Sequence, residues 1–440
     1  MSKPEESPRE QTAMRRVLGN FGFLLRGRSV AAVMAFATTA LMARSLGPAE
    51  FGMVVLIQTY ALLVRGLLNF KQFQGIVRYG VSLHDANDTY ALQRLISICQ
   101  LIDRYASITS TVVAVIMAPF IGPLMGMGPD HVILLTLYSL VLLSTGNNAA
   151  IGILRLFDQF NILGRQMTIG PTIGFFGVAL AWWFDSPITV FVAVMAFAYV
   201  SENIYLSWCG RREYRRRIER PARGERVNLA SMDEFSGLRH FLWITYWQSN
   251  VDLVPKRVSI MMAGYLLGAS EAGLLRLARQ ISSLLSGPAV LIRHVVFPDL
   301  TRSWNQGSAD FKLVAYRTAL IGGGAGLLFV LVGYFSGDIL LAALFGEEFT
   351  GAAAVLTLML LGGAFDIAAA SLRSACYAIG HAGKVLRLHV QSSVIYLTLF
   401  IALTSQMGLI GAGWAACFAA ALPPVAMALL IRKSTRKAKV

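Results

Sequence analysis

Leu46-Gly47-Pro48-Ala49-Glu50-Phe51-Gly52 recurs as Leu267-Gly268-Ala269-Ser270-Glu271-Ala272-Gly273, 221 residues further on in a chain of 440. Each copy ends one long apolar run and opens another. A second echo follows, in which Asn148 and the pair Leu154-Arg155 return as Asp366 and Leu372-Arg373, an offset of 218. The chain therefore reads as two homologous halves, each a set of membrane helices, and duplicated apolar bundles mark transporters that move one half against the other. In each copy of LG-x-x-E-x-G the first glycine suits the left-handed conformation that ends a helix. The glutamate falls at the start of the next helix, where its charge suits the exposed amides. The pattern predicts a tight turn on the outer face rather than a substrate contact.

Composition agrees with a membrane protein. Hydrophobic residues make up 55% of the chain and charged residues 14%, with a mean hydropathy of +0.58, against roughly 25% charged content in soluble domains. The net charge of +15 lies in loops between apolar runs rather than on one soluble face, which argues against a nucleic-acid partner. Cys99, Cys209, Cys376 and Cys417 have no paired spacing, so neither a disulfide framework nor a metal site is expected. Residues 1–16 are polar and no cleavage pattern follows the first apolar run, so the reading is a short tail and an uncleaved first helix.

A membrane helix takes about 20 mainly apolar residues. On that measure twelve spans are expected, near 17–44, 51–70, 97–121, 131–155, 162–184, 187–209, 239–266, 271–297, 315–336, 350–375, 385–404 and 408–431. Six per half means that both halves enter from one side, related by an axis along the membrane normal. Connections after even-numbered spans carry Lys71, Arg78, Arg155, Arg165, the run from Arg211 to Arg226, Arg302, Lys312, Lys384 and Arg387, whereas the others hold only Arg44. The positive-inside rule then puts both termini in the cytoplasm. The expected organisation is a tail at 1–16, an N-terminal lobe at 17–209, a basic cytoplasmic linker at 210–237, a C-terminal lobe at 238–431 and a tail at 432–440. The linker serves topology, with anionic lipid as the alternative contact.

Ionisable groups inside spans cost about 2.5–3.5 kcal/mol each on insertion scales, so they default to functional candidates. Span one carries Arg26 and Arg28. In span two Gln58, Arg65, Asn69 and Gln72 share a narrow arc. Span seven sets Thr245, Ser249, Asp252, Lys256 and Ser259 on one face, with Arg257 to the side and Pro255 loosening the backbone. Span eight adds Arg276 and Arg279, three apart and so on one face. Arg26, Arg28, Arg65, Lys256, Arg257, Arg276 and Arg279 thus form a ladder of cations through the membrane, suited to phosphate by the forked donors of arginine. A second reading has Arg26, Arg28 and Arg276 snorkelling to the interfaces. Asp252 and Asp366 are the acids best placed to couple transport to H+ or Na+, with structural pairing as the alternative. Glu202 reads as a helix-end charge, and Trp182, Trp183, Trp208, Trp243 and Trp247 as an interfacial belt.

The stretches ARSLGPAEFG within Leu41 to Gly52, GYLLGASEAGLLRLARQ and VVFPDLTR within Gly264 to Arg302, and GDILLAALFGEEFTGAAAVLTLMLL from Gly337 to Leu361 resemble the polysaccharide export and O-antigen (Wzx-type) flippases of the MOP superfamily. The resemblance implies a MATE-like, all-α fold of two six-helix lobes around a central cavity. It further implies alternating access that carries a polyprenyl-diphosphate-linked oligosaccharide across a bacterial cytoplasmic membrane. Membrane lipids and glycan polymerase or export machinery are the partners expected with it.

A cation-coupled multidrug exporter of the same fold is the rival, but cationic drugs call for an acidic cavity. An enzyme would need a large outer loop or clustered acids and histidines. Here His84, His131, His240, His294, His381 and His389 are dispersed, so transport without catalysis and without a bound cofactor is expected.

Overall fold

Gly47 and Gly268, the first glycines of the two repeated turns, have φ of 66° and 96° with ψ of 174° and 173°, an extended positive-φ backbone that essentially only glycine adopts, in place of the left-handed helical one that the motif predicts. In this computed structural model the described residues are 8–218, 229–306 and 310–437, and they are 92% helical. The helices are α1 (Pro8–Leu67), α2 (Gln72–Asp85), α3 (Thr89–Leu124), α4 (Pro129–Ser139), α5 (Asn148–Leu156), α6 (Phe160–Trp183) and α7 (Ile188–Arg217). They continue as α8 (Leu238–Leu267), α9 (Ala269–Ser282), α10 (Ser286–Asn305), α11 (Asp310–Phe345), α12 (Ala353–Ala378), α13 (Ala382–Met407) and α14 (Leu409–Lys437). The centre of the basic linker, 219–228, lies outside the described residues, as do the first seven and last three positions.

Fourteen helices therefore stand among the described residues where twelve spans were expected, and each difference has a local cause. Spans one and two run together as α1, broken only at Gly47. Span four divides into α4 and α5 around a 3-10 turn, Leu140–Thr145, and Gly146-Asn147. Span eight divides into α9 and α10 at Ser283–Leu285. An additional amphipathic helix, α2, follows span two. Eight helical stretches are long and apolar enough to cross a membrane, and the first of them, Gly22–Leu67, holds two expected spans. The charges Arg239, Asp252, Lys256 and Arg257 keep α8 out of that set.

The helices fall into two compact units. One comprises the described residues up to Ser45 with Tyr60–Pro123 and Gly128–Asn250; the other comprises Leu46–Thr59, Leu124–Met127 and the described residues from Val251 on. In the first unit α2 lays Ile76 against Leu92, Leu95 and Ile96 of α3, Ile153 of α5, and Leu238 and Leu242 of α8. Burying an isoleucine in this way is worth about 1.5–3 kcal/mol where water is the alternative, as beside a helix at the membrane edge. In the second unit Leu300, Phe311, Leu372, Val385, Met427 and Ile431 form a core that joins α10 to α14. Large apolar side chains on α11, among them Leu320, Ile321, Phe335 and Ile339, are exposed. Such a surface is stable in lipid and a liability in water.

The two repeated turns meet inside the second unit. A methyl added at Gly52 would stand 1.8 Å from the Ala269 carbonyl oxygen, and one at Gly273 would stand 3.0 Å from the Gly52 Cα. Phe51 completes the contact, with its ring edge-on to Phe349 at 5.8 Å. The glycines that close each motif thus permit backbone to approach backbone.

Candidate functional site

A membrane helix that breaks leaves carbonyls and amides that lipid cannot satisfy, so each must find a protein partner. The break between the 3-10 turn and α5 is closed from both sides. Arg65, on α1, donates from Nη2 to the Thr145 carbonyl at 2.8 Å. Asp103, on α3, accepts from the Ala149 amide at 2.6 Å and from the Asn148 side-chain nitrogen at 3.0 Å. Asn148 also reaches Asn69 Oδ1 at 3.1 Å, and the Asn147 amide nitrogen donates to Asn203 of α7. A cation therefore serves the carbonyl end of the break and an anion the amide end, the arrangement that helix dipoles favour. Both side chains are buried, Arg65 at 6% exposure and Asp103 at 1%, and their charges attract one another. Arg65 Nη1 and both polar atoms of Gln72 find no hydrogen-bond partner.

The second unit holds a different cluster. Arg279 of α9 donates from Nη1 to the Lys256 carbonyl and to Ser259 Oγ at 2.9 Å, and from Nη2 to the Tyr396 hydroxyl of α13 at 2.7 Å. The carbonyl it takes lies next to Pro255, which has no backbone N–H to offer the Val251 carbonyl one turn earlier. One turn earlier on α9, Arg276 stays exposed and lies within the repulsive fields of Arg279 and Arg257. Lys256 is exposed as well. Asp366 of α12 is exposed and is attracted by Arg373, Lys256 and His389. Cations thus outnumber this acid at accessible positions, an arrangement that can hold a phosphate or another anion.

The structure sorts the expected site residues accordingly. Lys256, Arg257, Arg276 and Arg279 come together with Asp366 in the second unit, whereas Arg65 has Asp103 near it in the first. Arg26 and Arg28 are exposed. Gly27 between them is packed so tightly that a methyl there would lie 2.2 Å from the Gly164 oxygen of α6. The side chain of Asp252 lies outside the described residues.

Two acids correct the sequence reading. Asp103 was not among its candidates, although a lone acid in the apolar run 97–121 was the available signal. Glu202 is not a helix-end charge, because α7 continues to Arg217. It lies mid-helix, accepts from Gln166 Nε2 of α6 at 2.5 Å and packs on Gly170. Trp182, Trp183, Trp208, Trp243 and Trp247 are all exposed. Cys99, Cys209, Cys376 and Cys417 are buried and unbridged, and no metal-binding cluster of acids, histidines or cysteines occurs among the described residues.

A family model described as polysaccharide biosynthesis protein matches residues 17–304. Inner membrane protein YghQ of Escherichia coli (strain K12) is 24% identical over 338 residues, which is 77% of this chain and 94% of that protein. Among solved structures, lipid II flippase MurJ in an inward closed conformation superposes with a TM-score of 0.70 at 11% identity, covering 93% of this chain and 88% of MurJ. An inward-facing multidrug resistance MATE family transporter of the MOP superfamily gives a TM-score of 0.68 at 14% identity, covering 94% of this chain and 99% of its own. The fold is thus the one shared by these two solved structures, a flippase and a transporter.

Proposed function

From the premise that this chain belongs to the polysaccharide biosynthesis protein family, we propose that it flips a polyprenyl-diphosphate-linked oligosaccharide across the bacterial cytoplasmic membrane by alternating access. The observation that carries the reading is the cluster of Lys256, Arg257, Arg276 and Arg279 at partly accessible positions. A diphosphate is the part of such a substrate that is hardest to take through lipid, and forked guanidinium donors compensate it best. Arg26 and Arg28 receive the headgroup first, and Asp366 or Asp252 links the movement to H+ or Na+. The lobes follow chain order, 17–209 and 238–431, and both termini face the cytoplasm, because basic residues crowd the connections on that side. Glycan polymerase or export machinery takes the delivered product.

Depletion of the protein tests this reading. Lipid-linked glycan should accumulate on the cytoplasmic leaflet, and an unchanged distribution between leaflets would reject it. The multidrug reading draws on the superposition with a MATE transporter, yet the sign of the cluster opposes a cationic drug. Drug susceptibility of an overexpressing strain separates the two readings, since a flippase leaves it unchanged.

A further inference from the structure

Apart from the cation cluster, the first unit holds a cavity of about 760 Å³ between α3, α5 and α7. On α3, Arg104 and Ser107 are three apart and face it together. On α7, Ile204, Ser207, Trp208, Arg211 and Arg215 fall on one helical stripe along its wall. Small residues make the space. A methyl at Gly210 of α7 would lie 2.4 Å from Ala150 Cβ of α5, so these two helices close up while the volume beside them stays open.

Three guanidiniums line this cavity and no carboxylate does. The acids next to them are committed elsewhere: Asp103 holds the α5 amides, and Glu213 accepts from Arg217 at 2.9 Å. Among the described residues, Arg104, Arg211 and Arg215 make no ion pair. The outer wall is apolar and uncovered, with Ile204 59% and Trp208 54% exposed. Arg212 lies over the Trp208 ring at 5.4 Å, which fixes that indole at the end of α7 where basic residues begin. Cations at one end and bare apolar surface at the other fit an amphiphile with an anionic head.

We propose that this cavity binds the phosphodiester headgroup of an anionic phospholipid from the leaflet next to the basic linker, with its acyl chains lying along Ile204 and Trp208. Basic pockets between membrane helices recognise such headgroups through their charge. The site uses none of the residues assigned to transport, so it stands whether or not the flippase reading holds.

Native mass spectrometry of the purified full-length chain tests the proposal, with phosphatidylglycerol and phosphatidylethanolamine of identical acyl chains as probes. The wild type should retain one phosphatidylglycerol in preference to phosphatidylethanolamine. The triple variant R104Q/R211Q/R215Q should lose that preference at least tenfold, while the control R432Q/K433Q keeps it. Equal retention by the triple variant, or an equal loss in the control, overturns the assignment. Displacement of phosphatidylglycerol by equimolar polyprenyl diphosphate would give the cavity to a lipid-linked substrate instead, and would likewise overturn it. Should the triple variant not reach the membrane, a photo-crosslinking residue at Ser207 in the otherwise unchanged chain supplies the readout. Cross-links to anionic phospholipid support the site, and cross-links to zwitterionic lipid alone reject it.

Discussion

Arg65 and Arg279 sit in the second helical stretch of their respective halves, and each donates to a main-chain carbonyl of a neighbouring helical segment. Arg65 takes Thr145 before the break that opens α5, and Arg279 takes Lys256 beside Pro255. Their surroundings differ. Asp103 balances Arg65, whereas Arg276 and Arg257 add like charge around Arg279. A buried cation that attracts a nearby anion and donates to backbone braces the fold. A group of cations at accessible positions keeps charge available for a ligand. On the proposed function, the first cluster serves stability and the second serves transport.

The largest effect should come from removing the balance in the first cluster. Asp103→Leu strips two hydrogen bonds from the start of α5 and removes the anion that attracts Arg65, and each buried polar group left unsatisfied costs about 1–3 kcal/mol. Thermal unfolding in detergent should show a large fall, with little protein left in the membrane. A wild-type unfolding profile would break the comparison at its structural end. Arg276→Glu should do the reverse, abolishing glycan export while the protein stays in the membrane at normal abundance, as a blot beside an export assay would show. A weaker change, Tyr396→Phe, removes one hydrogen bond from Arg279, worth about 0.5–1.5 kcal/mol in general. It should slow export by no more than about tenfold and leave abundance unchanged.

The smallest effect is expected at a half-buried pair outside both clusters. Arg94 holds Glu234 through two hydrogen bonds, and this keeps the Glu234 carboxyl below its ordinary range. A carboxylate lowered in this way contributes only above its unfolded pKa, and the contribution is lost as pH falls through the folded value. Glu234→Gln should therefore match the wild type in export at neutral pH and differ only in how the 229–234 turn responds to acid, read by hydrogen exchange. A strong export defect at neutral pH would show that charge outside the two clusters matters as much as charge within them.

Much of this was readable from the chain. The repeated LG-x-x-E-x-G turn reads as two halves, and the first glycine of each copy does take positive φ. That the two turns would pack on each other was not readable, because contact at Gly52 and Ala269 depends on tertiary approach rather than local preference. Gly146-Asn147-Asn148 within span four signalled an interrupted helix, yet periodicity alone read one continuous span. The candidate cations were visible as charges in apolar runs. Their division into two roles was not, since the partner of Arg65 lies on another helix, 38 positions away. Glu202 was misplaced because α7 stays helical past the apolar run, in a stretch where charge rather than hydropathy marks the residues.

Binding of polyprenyl diphosphate to the chain in lipid nanodiscs, compared between wild type, Arg276→Gln and Asp103→Asn, tests the central claim most directly. The account predicts at least a tenfold loss of affinity for Arg276→Gln and near-wild-type affinity for whatever Asp103→Asn protein folds. Equal affinity in wild type and Arg276→Gln would contradict it.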